Sequence, residues 1–323
     1  MKKQLVLALA LLLTLSCTGC GHIIGDGIPP KDGITIITTN FFLYDAARAM
    51  ARPEDEVVML ISPGTESHDF ELTLSDMAAI ETCDLFVYVG GEGEGWVYDA
   101  LDAFHDNGIE IPTFCAMESV EQQGTLHHAV GEHDHDHDHH SQSHWEGIDD
   151  HVWLSLPNAI TIYNELYDTL KGYYEDWSPM QTEGTEQNYN YQLTMLDEEF
   201  RTLTESTAAP EILVADRFPY TYLTEEYGIA YTAAFEGCTS DTEASLETVY
   251  RLIEKAKSLG QGTVLVTELS DCQTAKAVAA QVQDLTIAEL HSGHNVTRED
   301  FDAGVTFIDL MERNLAVLEE LWK

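Results

Sequence analysis

Short apolar strands alternate with helices over most of this 323-residue sequence, and no other feature restricts its fold as strongly. In the first half, the pattern predicts strands at 34–39, 57–61, 85–89 and 109–114 and helices at 43–51, 75–82 and 96–105. In the second half, it predicts strands at 212–215, 264–267 and 285–290 and helices at 246–259, 273–283 and 301–322. Such alternation is typical of parallel sheets covered by helices.

A different pattern separates the two halves. Residues 182–207 contain no proline, and their apolar side chains recur every three or four positions, which predicts one amphipathic helix nearly 40 Å long. The predicted fold class is therefore α/β, with two Rossmann-like lobes, 33–181 and 208–323, joined by this connecting helix. Because ligands of open α/β sheets bind at the carboxyl ends of strands, we expect a site in the cleft between the lobes.

The N-terminus has the layout of a secretory signal. Lys2 and Lys3 precede an apolar run, residues 5–13, that is too short to span a bilayer. The segment closes with Cys17-Thr18-Gly19-Cys20, which is similar to the lipobox of bacterial lipoproteins. We expect residues 1–20 to be a lipoprotein signal and residues 21–32 a flexible tether. The mature chain would then be extracytoplasmic and anchored to the bacterial membrane by a lipid on Cys20. Cleavage without lipidation is the alternative.

Charge and cysteine content restrict the environment further. The chain has 15 basic and 57 acidic side chains, a formal net charge of −42, so its surface repels nucleic acid. Four cysteines lie outside the signal, in a compartment that permits disulfides. We predict pairs between Cys83 and Cys115 and between Cys238 and Cys272, with four thiols as the alternative.

Histidines are concentrated in one segment. Eight of the 14 histidines fall in residues 127–144, where they alternate with aspartates. This composition cannot form a core, and it places nitrogen donors beside carboxylate oxygens. We interpret the segment as a loop that collects metal ions. A pH-dependent charge switch and a plain polar linker are the alternatives.

Three further histidines occupy defined positions. His68 follows the strand at 57–61, and His291 follows the last strand. His151 comes directly after Asp149 and Asp150, either of which can hold one ring nitrogen and leave the other for a metal. Loops from both lobes meet at a cleft in this fold, so these three side chains are predicted metal ligands.

Several motifs resemble those of one protein family. Pro63-Gly64-Thr65-Glu66-Ser67-His68-Asp69-Phe70, Asp150-His151-Val152-Trp153-Leu154 and Gly304-Val305-Thr306-Phe307 are similar to segments of the zinc- and manganese-binding lipoproteins of metal ABC uptake systems. The resemblance covers nearly the whole mature chain. It implies that His68 and His151 are the first two metal ligands.

The third ligand position of that family falls on Arg217. Arginine stays protonated and has no lone pair to donate, so it cannot bind a metal cation. His291 restores a set of three histidines, and Glu268 or water would complete a tetrahedral zinc site. An ion pair between Glu268 and Arg217 is an alternative role for that carboxylate. Asp216 and His294 are alternative ligands for the fourth position.

These observations predict a monomeric solute-binding protein that captures Zn²⁺ and delivers it to the permease and ATPase subunits of an ABC importer. Three histidines favour zinc over manganese, which prefers more oxygen ligands. The alternatives are a Mn²⁺ receptor of the same type, a zinc-dependent hydrolase, and a metal buffer or adhesin that works without an importer. No catalytic sequence motif is present, so we expect no enzyme activity.

Overall fold

The structure is a computed structural model that describes residues 33–66, 70–127, 145, 147–174, 186–235, 237, 244–260 and 262–323. Gly33–Lys323 forms one compact unit. The predicted signal and tether lie outside the described residues. So do His68, Cys238 and the histidine-rich segment from residue 128 to 144.

The first lobe contains a four-stranded parallel sheet with the order β2-β1-β3-β4. Its strands and helices follow one another along the chain as β1 Thr35–Thr38, α1 Phe41–Met50, β2 Glu56–Met59, α2 Leu74–Thr82, β3 Leu85–Tyr88, α3 Gly95–Asp106, β4 Thr113–Cys115, α4 Ala116–Glu121 and α5 Leu156–Lys171. A short 3₁₀ turn at Val152–Leu154 precedes α5. The central strand β3 is buried along its whole length, as expected for a parallel sheet covered on both faces.

The second lobe repeats this arrangement with the order β6-β5-β7-β8, again fully parallel. It comprises β5 Glu211–Val214, α7 Thr221–Tyr227, β6 Ala230–Ala233, α8 Leu246–Leu259, β7 Thr263–Val266, α9 Gln273–Ala279, β8 Thr286–Glu289, α10 Arg298–Ala303 and α11 Phe307–Leu321. The predicted architecture of two parallel-sheet α/β lobes is confirmed. Strand β6 and the helices α4, α5 and α7 were not predicted.

The connecting helix, α6, spans Glu186–Ser206 and packs against α5 and α11. Its buried positions Leu193, Leu196 and Phe200 are spaced three or four apart, as the sequence pattern predicted. Residues 182–185 of the predicted helix lie outside the described part of the chain. Where the structure describes the chain, no helix combines the length and the apolar character that a bilayer crossing requires.

Helix starts follow from short polar side chains. The Asn40 side chain accepts the Leu43 N–H at the start of α1, and the Ser245 side chain accepts the Thr248 N–H at the start of α8. Helix α2 begins one residue earlier than predicted. Thr73 is its N-cap, and the Asp76 carboxylate completes a reciprocal capping box with it.

The helix predicted at 301–322 is two helices. Gly304 adopts φ +75° and ends α10, because its left-handed conformation is incompatible with continuing the helix. Thr306 then caps α11 in a capping box with Asp309. The apolar periodicity of the sequence continues across the break, so the stop signal at Gly304 and the cap at Thr306 were not recognised.

The predicted disulfide between Cys83 and Cys115 is wrong, because the structure contains no bond between these two thiols. Cys115 pairs with Tyr88 at the end of β3, whereas Cys83 ends α2 and precedes the start of that strand. The strand from Leu85 to Tyr88 alone spans about 10 Å at 3.3 Å per residue, beyond disulfide reach. Cys272 is also a thiol, and its predicted partner Cys238 lies outside the described residues.

Asp45 on α1 joins three helices. Its Oδ2 atom accepts the Tyr189 hydroxyl of α6 at 3.0 Å and the Phe307 N–H of α11 at 2.8 Å. Its Oδ1 atom accepts from Arg48 at 2.6 Å. The carboxylate is buried, so each of these donors satisfies an acceptor that would otherwise lose its hydration.

We expect Tyr189→Phe to lower the free energy of unfolding by about 1 kcal/mol, because it removes one buried hydrogen bond to Asp45. Urea denaturation of the metal-free protein measures the change. Tyr191→Phe is the matched control, because Tyr191 lies on the same helix and is 61% exposed. Equal stability of the two variants would contradict this role of Tyr189.

Candidate metal centre

The carboxyl ends of the strands of both sheets meet in a cleft between the lobes. A cavity of about 20 Å³ lies there, large enough for one small ion or water. The first lobe contributes Thr65 and Glu66 to its lining. The second lobe contributes residues that include Arg217, Glu268, Ser292, His294 and Asn295.

His151 is buried beside two carboxylates. Its Nδ1 atom lies 2.9 Å from Asp149 Oδ1 and 3.0 Å from Asp150 Oδ1. Asp149 Oδ1 also accepts the His151 backbone N–H, which fixes the ring relative to its own main chain. The Nε2 atom is buried and has no hydrogen-bond partner among the described residues. A histidine whose Nδ1 is held by carboxylates presents its Nε2 lone pair to a metal, so the predicted role of His151 is chemically consistent.

The same carboxylates control the charge of His151. Burial disfavours the charged ring, but Asp150 and Asp149 outweigh burial and raise the pKa of His151 well above its ordinary value. A metal ion that binds Nε2 therefore competes with a proton that is held more tightly than on an ordinary imidazole. Among the described residues, Asp149, Asp150 and His151 form a group whose potential metal-ligand atoms all lie within 4.8 Å of one another.

His291 is held through both its backbone and its ring. Its N–H donates to Asn314 Oδ1, and its carbonyl accepts from Asn314 Nδ2, both at 2.7 Å. The ring Nδ1 accepts the Gly293 N–H at 2.9 Å, so this nitrogen is engaged by the backbone of its own loop.

Glu268 contacts Ser292 with both carboxylate oxygens. Oε2 accepts the Ser292 N–H at 2.8 Å, and Oε1 accepts its hydroxyl. Burial opposes ionisation, but nearby His291 and these hydrogen bonds leave the pKa of Glu268 below its usual value. His291, Glu268 and His151 do not converge on one point among the described residues, because they do not belong to a group with ligand atoms within 4.8 Å. Their predicted joint role as ligands stays a prediction.

His294 lies beside His151 and lines the cleft. Its ring centroid lies 5.5 Å from that of His151, and the ring also contacts Trp153. It lines the cavity beside Arg217 and a second pocket beside Asp150. The sequence placed His294 only among the alternatives, because a loop register cannot be derived from strand periodicity.

Gly293 explains how the loop reaches this position. It adopts φ +71°, and a side chain here would lie 2.8 Å from the Phe307 ring and 3.4 Å from Trp153 Nε1. Only glycine allows this approach. In the sequence, only the dipeptide Gly293-His294 could have indicated a tight turn that places His294 at the cleft.

The two other predicted elements of the site are only partly described. His68 lies outside the described residues, although residues up to Glu66 are described. The first residue of the histidine-rich segment, His127, is described. Its N–H donates to the Tyr222 hydroxyl, and its Nδ1 lies 2.5 Å from Glu225 on α7.

Arg217 stands where a third ligand was expected. Its guanidinium donates to Glu66 Oε2 at 2.5 Å across the cleft, and only 9% of the residue is exposed. The first lobe thereby gains an ionic contact with the second lobe. Both Arg217 and Glu268 line the cavity, and Ser292 satisfies the Glu268 carboxylate.

Residues 36–321 match the family described as "Zinc-uptake complex component A periplasmic" (ZnuA). The chain belongs to the ZnuA family. The match extends from β1 to the last residue of α11, so it includes both lobes and every cleft residue described above.

Named relatives of this ZnuA-family chain are zinc proteins of Streptococcus and Bacillus. The zinc-binding protein AdcA of Streptococcus pyogenes serotype M3 is 25% identical over 335 residues, covering 98% of this chain and 61% of AdcA. This chain therefore spans about three fifths of the AdcA proteins it matches. The high-affinity zinc uptake system protein ZnuA of Bacillus subtilis is 27% identical over 331 residues and is covered to 95%.

Solved structures show the same fold. The Zn(II)-bound ZnuA-like domain of Streptococcus pneumoniae AdcA superposes with a TM-score of 0.70 at 24% identity, covering 90% of this chain and 99% of that domain. The metal-dependent lipoprotein YcdH of Bacillus subtilis gives a TM-score of 0.71 at 23% identity, with 90% and 100% covered. The two-lobed architecture is thus that of the ZnuA family.

We expect Asp149→Asn to lower the pKa of His151 in the metal-free protein, because it removes one of the two charges that raise it. An NMR titration of the imidazole in the presence of a chelator measures this shift, with the exposed Asp106→Asn as control. A raised histidine pKa adds stability that is fully present below about pH 6.5 and is lost as pH rises through the folded-state pKa. Asp149→Asn should reduce that low-pH contribution. An unchanged titration would show that Asp149 does not set the charge of His151.

Proposed function

We propose that this protein is an extracytoplasmic receptor that captures Zn²⁺ in the inter-lobe cleft and delivers it to an ABC importer. The observation that carries the proposal is His151, a buried imidazole held at Nδ1 by two aspartates with its Nε2 directed at no described partner. Membership of a zinc-uptake family and zinc-binding relatives at 25–27% identity support the same conclusion.

The proposed ligands are His68, His151 and His294. The rings of His151 and His294 have centroids 5.5 Å apart, His294 lines the cavity, and His68 follows the loop that lines the same cavity. His294 takes the place predicted for His291, whose ring accepts a hydrogen bond from the loop backbone instead. In this arrangement Glu268 fixes the loop through Ser292 and is not a ligand.

The donor set favours zinc over manganese. Three imidazoles suit a tetrahedral zinc site with one position left for water, whereas Mn²⁺ prefers a larger share of oxygen ligands. Both oxygens of Glu268 are engaged by Ser292, which lowers the number of carboxylates available to a harder ion. Delivery of zinc as cargo needs no catalytic group, in keeping with a family of transport components.

The remaining parts of the function concern segments outside the described residues. We propose that the histidine-rich segment gathers zinc at low affinity near the cleft, since its first residue, His127, is hydrogen-bonded to Tyr222 on α7. We also propose a lipid anchor on Cys20, by analogy with the zinc-binding lipoprotein AdcA of Streptococcus pneumoniae. The permease and ATPase subunits would be separate chains.

Zinc content and competitive affinity of the mature protein test the proposal. We expect one tightly bound zinc per chain, retained after deletion of residues 128–144. His151→Ala and His294→Gln should each weaken binding by more than about 100-fold, the upper limit for losing only a hydrogen-bond partner of a ligand. Loss of all tight binding on deletion of the segment would place the function in that segment rather than in the cleft.

His291→Gln is the matched control for His294→Gln, because the two histidines lie three residues apart in one loop. We expect His291→Gln to reduce zinc affinity by much less than the His294 variant. The reverse order would restore His291 as the ligand. Tighter binding of Mn²⁺ than of Zn²⁺ by the wild-type protein would favour a manganese receptor instead.

A further inference from the structure

The loop that follows β2 is attached to the opposite lobe. We call residues 62–66 the strap; it belongs to the first lobe and ends two residues before His68. Gly64 N–H donates to the Val296 carbonyl of the second lobe at 2.7 Å. Asn295 and Arg217, also from the second lobe, contact the strap through their side chains.

Asn295 holds the strap with both of its amide hydrogens. Its Nδ2 atom donates to the carbonyls of Ser62 at 2.9 Å and Thr65 at 2.7 Å. The Oδ1 atom accepts the Val296 N–H at 2.8 Å, so the orientation of the carboxamide is fixed. Asn295 is 3% exposed. Removal of its amide donors would take a hydrogen-bond partner from the carbonyls of Ser62 and Thr65, which is costly where the bond is buried.

Arg217 holds the end of the strap. Its ion pair with Glu66 is formed by a side chain with 11% exposure and a carboxylate with 28% exposure. The bond is short and charge-assisted, which makes it stronger than a neutral hydrogen bond. Neither residue needs to contact the metal for this effect.

Resting on the proposed function above, we propose that Asn295 and Arg217 are positioning residues for the metal centre. They fix the strap, whose last residue Glu66 lies two positions before His68, against the second lobe. A loop ordered in advance lowers the entropy lost when its ligand binds the metal. Zinc affinity would therefore depend on two side chains that are not ligands.

The charge of Arg217 makes this inference sharply testable. If Arg217 acted only as a positive charge near a dication, removing it would strengthen zinc binding through reduced repulsion. If it positions the strap, Arg217→Gln weakens zinc binding. The two interpretations predict opposite signs for the same variant, and Arg217→Lys, which keeps the charge, should lie closer to the wild type.

The experiment measures competitive zinc affinity of full-length mature wild-type protein and of Arg217→Gln, Glu66→Gln, the corresponding double variant and Asn295→Asp. We expect about tenfold weaker binding for Arg217→Gln. The double variant should be no weaker than the single variants, because both disrupt one contact. Asn295→Asp keeps the shape but loses both donors, so we expect a loss of tenfold or more.

Unfolding in the presence of a chelator accompanies each affinity measurement. A zinc affinity that falls while metal-free stability is retained supports the proposal, and if Asn295→Asp does not fold, the Arg217 and Glu66 variants decide. Wild-type affinity in Arg217→Gln and Asn295→Asp, or tighter binding in Arg217→Gln, would overturn it. A wild-type protein without tight zinc would instead refute the proposed function itself.

Discussion

The start of α1 is bonded to the second lobe, and the cleft depends on this contact. The first N–H groups of a helix have no partners within the helix. Here the Phe41 N–H donates to the His294 carbonyl at 2.8 Å, and the Phe42 N–H donates to the Gly293 carbonyl at 3.2 Å. Trp153 Nε1 donates to the Ser292 carbonyl at 2.7 Å. The loop at 292–294 of the second lobe thus accepts hydrogen bonds from α1 and from Trp153 of the first lobe. These bonds fix His294 in the cleft.

The sheet architecture was predictable because burial on both faces of a parallel sheet leaves a legible apolar run in each strand. Strand β3 is an example, with every residue buried. The break at Gly304 was not predicted, because the apolar positions of α10 and α11 continue in step across it. Strand β6, Ala230–Ala233, was missed because its sequence contains few large apolar side chains.

The site was predictable in part. The Asp149-Asp150-His151 sequence predicted a ring held by carboxylates, because those partners are neighbours in the chain. The positions of His291 and His294 depend on contacts with Asn314, Phe307 and Trp153, which come from distant elements, so the predicted role of His291 could not be checked from the sequence. The pairing of Arg217 with Glu66 joins residues 151 positions apart, and no local pattern encodes it.

The carboxylate of Asp45 has a consequence for the order in which the molecule can form. It accepts the N–H of Phe307, a residue 262 positions later, and the Phe42 ring meets the Phe307 ring edge to face. The first lobe therefore completes its core only with residues near the end of the chain. Contacts of such long range form slowly, because a large loop must close first. A polypeptide built in this way stays incompletely folded until α11 is available, a property compatible with threading through a narrow membrane channel.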